Sequence, residues 1–297
     1  MFDRLIIKSL HAWKESSARK PLVLRGARQV GKTVAVRMFG ESYDLFSELN
    51  LEIPENAALF QQGLKPCEIL QTIRLKQRVP VSETGTWLLF LDEIQACPAA
   101  VAQLRYFYEN VPELHLVAAG SLLEVALKRE HISFPVGRIE FRYLHPMCFE
   151  EFLGAVAGKE MVEVFQQVPT PVYAQEELFS LYHQYALIGG MPEAVAEYVR
   201  TRDVVAVNRI YESLFTAYVD DIPKYARNES MAKMLRYCLK IAPLKAGMRI
   251  QFAGFGESSH GSREVGEALR TLEQVMLVSL LYPTVSVSVP FIPNNRK

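Results

Sequence analysis

The 297-residue sequence predicts an α/β fold, a three-layer sandwich on a mostly parallel sheet, followed by helices and a small terminal module. Three observations predict it. From Pro21 to about Pro146, short apolar strands alternate with helical stretches. Runs such as "WLLFL" are continuously apolar, as suits central strands buried on both faces. After "FEEFLGAVAGKE" the strand rhythm stops, and helices rich in Leu, Tyr and Ala take over.

Taken in order, the opening "MFDRLIIKSLHAWKESSARK" puts Leu5, Ile6, Leu10 and Trp13 on one helical face, as a docking helix does. It lacks the long apolar core and small-residue cleavage site of a signal peptide. The expected strands are "PLVLRG", "YDLFSELNLE", "TWLLFLDE", "LHLVAAGS" and "RIEFRYLHP". Between them "KTVAVRMFG", the charged stretch from Asn56 to Arg78 and "PAAVAQLRYFYENVP" read as helical. Helices broken at "IGGMPEA" fill Met161 to Arg227. Beyond them "ESMAKMLRYCLKIAP" lines up Met231, Met234, Leu235, Cys238 and Leu239, and "SREVGEALRTLEQVM" lines up Val265, Leu269, Leu272 and Met276. Two amphipathic helices followed by the strand-like "LVSLLYPTVSVSV" suggest a winged-helix-like module. The expected domains are 1–155, 156–227 and 228–297.

Thirty-three basic residues balance thirty-three acidic ones, so no whole-protein field draws nucleic acid or anionic lipid. Cys67, Cys97, Cys148 and Cys238 are far apart and form no zinc-like spacing, which reads as reduced thiols in a cytoplasmic protein. Two prolines and alternating serines divide the one long apolar stretch near the end, so no membrane span is expected.

"RGARQVGKTV" follows the apolar "PLVL" and opens a helix. Gly26 through Thr33 fits G-x-x-x-x-G-K-[ST] without a mismatch. A packed core gains nothing from such a stretch. A phosphate does, because glycines let the backbone aim its N–H groups at phosphate oxygens and the helix adds its positive end. The nucleotide-binding stretch is therefore Gly26, Ala27, Arg28, Gln29, Val30, Gly31, Lys32, Thr33 and Val34. Lys32 would reach the β- and γ-phosphates of ATP or ADP, and the Thr33 hydroxyl would ligate Mg²⁺. "WLLFLDEIQ" supports this, since an apolar strand ends at Asp92 and Glu93. Asp92 would hold Mg²⁺, and Glu93 would activate the water that attacks the γ-phosphate. The alternative is that the two acids cap the next helix. No guanine-reading Asn/Thr-Lys-x-Asp motif is present, which points away from a GTPase. Ser121, at the end of "LHLVAAGS", is either a γ-phosphate sensor or a cap for the next helix.

"LRGARQVGKT", "LLFLDEIQ", "AAGS", "FPVGRIEFRYLHPMCFEEFL" and "IGGMPEAV", in that order, resemble the prokaryotic AAA-type P-loop ATPases that carry an uncharacterised C-terminal domain. These are allied to the STAND and origin-recognition-like ATPases. The resemblance runs from Met1 to about Pro283 and implies an ATPase core, a helical lid and a winged helix. Relatives usually continue with a further domain, expected to be missing here beyond "PNNRK". The resemblance adds Arg138 as an arginine finger, in cis or across a homo-oligomer boundary, against an ion pair with Glu140 or Glu151. It also makes Gly190 and Pro192 of "GGMP" a nucleotide-contacting lid element, against a plain turn and helix start. "AAGS" departs from relatives with polar residues there, which weakens the expected sensing.

The winged helix raises DNA as a partner, and the charges temper it. The candidate recognition helix sets Arg263 and Arg270 against Glu264, Glu267 and Glu273, a net acidic surface, so a protein partner is the stronger reading. Two functions stay open: an ATPase whose hydrolysis drives or gates the lid and winged helix, slow or partner-stimulated, and an ADP- or ATP-loaded switch that barely hydrolyses. A small-molecule kinase fits less well, because the helical region is too large and distinct.

Overall fold

The computed structural model describes residues 2–78, 85–121, 123, 134–135 and 137–284. Five parallel strands form one sheet: β1 (Leu22–Arg25), β2 (Leu45–Asn50), β3 (Trp87–Asp92), β4 (His115–Gly120) and β5 (Glu140–Tyr143), in the order β2-β3-β4-β1-β5. All five are the strands expected from the sequence. Leu22 to Leu24 of β1 and Leu88 to Leu91 of β3 are fully buried, which is why their runs are apolar at every position rather than alternating.

Helices α1 (Leu5–Lys14), α2 (Lys32–Gly40), α3 (Pro54–Gln61), α4 (Pro66–Gln77) and α5 (Pro98–Asn110) accompany the sheet. α3 and α4 divide the charged stretch, which had read as one. Gly63 at φ 71° takes a left-handed turn between them, and Pro66 starts α4 at its first helical position, where its missing N–H costs no bond. Of the face expected on α1, Leu10 and Trp13 are buried and Ile6 partly so, while Leu5 at the first turn is exposed. Trp13 meets Phe39 of α2 and His115 of β4 edge to face or tilted.

β4 lies between β1 and β3. All strands run the same way, so the segments after β1, β3 and β4 emerge side by side at one end of the sheet. Open parallel sheets bind ligands at that end. A second apolar cluster joins α6 (Phe149–Val156), α8 (Val172–Ile188) and α9 (Pro192–Thr201) around Phe152, Leu181 and Val195. α7 (Lys159–Phe165) joins α6 to α8 in sequence.

The chain divides into two compact units, one ending at Phe215 and one starting at Thr216, within the long helix α10 (Val204–Tyr225). In the second unit α11 (Glu229–Ile241) packs against α12 (Ser262–Gln274). Met231, Met234, Leu235, Cys238 and Leu239 are buried there together with Val265, Leu269 and Leu272, as spacing predicts. Met276, expected on the second face, instead lies beyond the helix end at φ 61° and is only partly buried. Of the stretch expected as a strand pair, 277–283 form no strand and Thr284 makes only a single bridge, while 285–289 lie outside the described residues. The wing of a winged helix is therefore not seen among the described residues. Among the described residues, no helix is long and apolar enough to cross a membrane.

Candidate functional site

The loop after β1 is shaped by close approaches that only small residues allow. A Cβ on Gly26 would stand 2.4 Å from the Leu144 carbonyl oxygen. Gly31, the N-cap of α2, sits at φ 93°, and Gln29 at φ 65° is left-handed too. Alternating left-handed residues turn successive N–H groups to one side, the backbone geometry that makes an anion-binding concavity. Ala27 and Val30 are buried beneath the loop, while Arg28, Gln29 and Val34 are exposed.

Lys32 is the first residue of α2, and its side chain is buried. Nζ donates to the carbonyl oxygens of Gly26 at 3.0 Å and Ala27 at 2.9 Å. Burial holds its pKa below the usual lysine range, and the Glu93 and Asp92 carboxylates oppose that shift. Thr33 Oγ1 donates to Asp92 Oδ2 at 2.7 Å, tying the loop to the end of β3. Burial pushes the Asp92 carboxyl above the usual range, partly offset by the Thr33 hydroxyl.

Two hard oxygen donors in contact, one of them a buried carboxylate, fit a small divalent cation that keeps most of its waters. Mg²⁺ would sit on Thr33 and Asp92. Glu93 follows in a left-handed conformation (φ 51°), its N–H on Asp92 Oδ1 at 3.0 Å. Such a backbone is sparsely populated for a residue with a Cβ and gathers at functional sites. Ser121 is buried at the end of β4, between the loop and the acids.

Pro192 lies close to the loop, and Gly190 stands two residues before it, held on Met147. The Gly190 carbonyl accepts from Met147 N at 2.6 Å, and Pro192 Cγ would be 3.7 Å from a Cβ on Gly31. A Cβ on Gly190 would come within 2.1 Å of the Met147 carbonyl oxygen, so glycine is required for this approach. The structure thus brings together Gly26–Thr33, Asp92, Glu93, Ser121, Gly190 and Pro192.

It does not bring Arg138 to them. Arg138 precedes β5, at the opposite end of the sheet, and that four-residue strand alone spans about 13 Å. Its Nε pairs with Glu109 Oε1 at 3.0 Å near the C-terminus of α5. Neither expected ion-pair partner serves it. Glu140 accepts from Lys20 N and Arg142, and Glu151 is held by Arg4.

Arg4 was not foreseen. Its buried guanidinium donates to Val30 O at 2.9 Å, to His145 O at 2.7 Å and to Glu151 at 3.1 Å. One side chain braces the underside of the loop against the start of α6. Gln95, on the 3₁₀ turn Ile94–Ala96, was not foreseen either. Its Nε2 donates to Glu93 Oε2 at 2.5 Å.

Family models match two stretches: residues 18–153 an AAA domain, and residues 179–290 a Domain of unknown function (DUF8612). No curated protein matches the chain. Among solved structures, a Walker-type ATPase of Pyrococcus abyssi is similar with a TM-score of 0.56 at 17% identity, over 93% of this chain and 90% of that one. The Aeropyrum pernix ORC1 protein in complex with DNA (TM-score 0.31, 15% identity, 91% and 81% covered) and Caenorhabditis elegans PCH-2 (0.36, 12%, 67% and 62%) align too loosely to support an argument. Residues 18–153 thus match an AAA-domain family model, and the chain shares its fold with a P-loop-type Walker ATPase.

Proposed function

We propose that this chain binds ATP with Mg²⁺ at the loop Gly26–Val34 and hydrolyses it. The observation that carries the reading is the 2.7 Å bond from Thr33 to Asp92, with the Lys32 ammonium buried beside both acids. Lys32, whose Nζ donates to two loop carbonyls, exchanges these for the β- and γ-phosphate oxygens when nucleotide binds. Thr33 and Asp92 would hold the cation, which would supply charge stabilisation for the phosphoryl oxygens. Glu93 takes the proton of the attacking water, and that water adds to γ-phosphorus as the bond to the ADP oxygen breaks. Ser121 stands where a hydroxyl meets the γ-phosphate, and Pro192 covers the loop from the lid side.

The place of Arg138 favours slow turnover. An arginine finger supplies about 10³–10⁵ in rate, and this one is engaged at the far end of the sheet. Hydrolysis then waits on a partner, or on a second copy reaching across a boundary, with the nucleotide state read out through the residues from 156 onward. A protein partner for α12 suits its net acidic side chains, Arg263 and Arg270 against Glu264, Glu267 and Glu273, with Glu267 paired to Arg227 at 2.8 Å. Steady-state turnover of the wild type and of Glu93→Gln tests the reading, with ATP affinity by calorimetry and added duplex DNA as a separate arm. ATP should bind both, and turnover of the variant should fall roughly 10²–10⁴-fold. A wild type that holds ADP and shows no turnover makes the protein a loaded switch instead.

A further inference from the structure

Three features of Gln95 converge beside the acid pair. Its Nε2 donates to Glu93 Oε2 at 2.5 Å. Its Oε1 is buried with no hydrogen-bond partner among the described residues. That same oxygen lies against the end of β4, where a Cβ on Gly120 would come within 2.1 Å of it. The side chain is therefore wedged between Glu93 and the residue before Ser121, with room made for it by a glycine.

This arrangement is costly unless it serves something. A buried acceptor without a donor forfeits a hydrogen bond to water, on the general scale of 1–3 kcal/mol. Glu93 adds a left-handed backbone that a residue with a Cβ adopts at a cost. The same turn thus carries a strained residue and an unsatisfied one, two places apart. Leucine at position 95 would fill the wedge without leaving a polar atom unpaired. What leucine lacks is the N–H that reaches the carboxylate.

We propose that Gln95 is a positioning residue for hydrolysis, its amide holding the Glu93 carboxylate against the end of β4 so that the base faces the attacking water. This rests on the ATPase reading above and adds to it the group that sets where the base stands. Glu93 is free to swing about its own side-chain bonds, and a displacement of about 1 Å at a reacting group costs on the order of a hundredfold. The amide removes that freedom on one side while leaving the other carboxylate oxygen to take the proton. Its unpaired oxygen, pressed on Gly120, fixes the amide in turn.

Gln95→Met keeps the length of the side chain and removes both donor and orphan acceptor, and Gln95→Leu is the second variant. Turnover should fall roughly ten- to hundredfold in each. ATP affinity by calorimetry should stay within about threefold, and the nucleotide-free thermal midpoint should not drop, because no satisfied buried bond other than that to Glu93 is lost. In a Glu93→Gln background, Gln95→Met should cause no further loss, since a residue that acts through Glu93 has nothing left to position. Turnover within twofold of wild type in both variants would overturn the proposal. So would an equal further loss in the Glu93→Gln background, or failure of both variants to fold, which would make Gln95 a structural residue. Absence of turnover in the wild type itself fails the ATPase reading and takes this one with it.

Discussion

Replacing Lys32 by methionine separates what the ammonium does for ATP from what it does for the fold. The stem keeps its place in the buried channel, and only the charge and its two bonds are lost. A hydrogen bond to a charged group contributes about 1.5–3 kcal/mol, and each 1.4 kcal/mol is tenfold, so affinity for Mg-ATP should fall about ten- to hundredfold. The nucleotide-free protein should respond quite differently. Burial holds the folded pKa of Lys32 below its unfolded value, so the ammonium opposes folding at neutral pH, and that cost is relieved only as pH rises through the folded pKa toward the unfolded one.

Methionine removes that cost and gives up two bonds from a charged donor, about 1.5–3 kcal/mol each, so the two changes run in opposite directions. Stability should therefore fall by clearly less than the roughly 3–6 kcal/mol that the two bonds alone would cost. Calorimetric titration with Mg-ATP and a urea melt of the nucleotide-free protein read both quantities. Unchanged ATP affinity in a folded Lys32→Met chain would refute the assignment of the loop.

The inner strands β1, β3 and β4 were legible because a parallel sheet buries both their faces, which removes the polar alternation and leaves runs such as "WLLFL". The loop was legible for a related reason: an anion cradle needs contiguous backbone, so its residues stand together in the chain. The acids at the end of β3 could be found because they close an apolar run.

What stayed hidden depends on contacts distant in sequence. Arg4 looks like an ordinary charge ahead of an amphipathic helix, yet its partners are 26, 141 and 147 residues away. Arg138 was assigned partners near it in the chain, whereas α5 delivers Glu109 from 29 residues upstream. Gln95 sits in the quoted motif and drew no role, because its meaning lies in β4: only the missing Cβ of Gly120 lets the side chain lie there. A local pattern reports which groups are present. It does not report which of them a neighbouring strand holds in place.

Three further outcomes are expected. Arg4→Met leaves Glu151 buried without its cation and should lower stability by about 3–5 kcal/mol in urea melts; a loss under 1 kcal/mol would deny the brace. Burial holds the His115 pKa down to about 4, so the folded state resists protonation and stability should fall as pH drops from 6.5 toward 4, on the order of 3 kcal/mol. Melts of His115→Gln with the same acid sensitivity would assign that loss elsewhere. The last concerns Arg138 and, through it, the assembly. An exposed ion pair contributes about 0–1 kcal/mol, and the far end of the sheet is out of reach of a phosphate on the same chain. In dilute protein, Arg138→Ala should therefore fold normally and change turnover by less than about threefold, since roughly tenfold in rate requires 1.4 kcal/mol. A finger acting across a boundary would show itself only with association: wild-type turnover per chain would rise with concentration, and the variant would lose that rise. Mixing Arg138→Ala with Glu93→Gln chains would then restore part of it, because one mixed interface keeps both groups. A large loss in Arg138→Ala at every dilution would contradict the placement itself, because it would require this guanidinium to reach the nucleotide of its own chain.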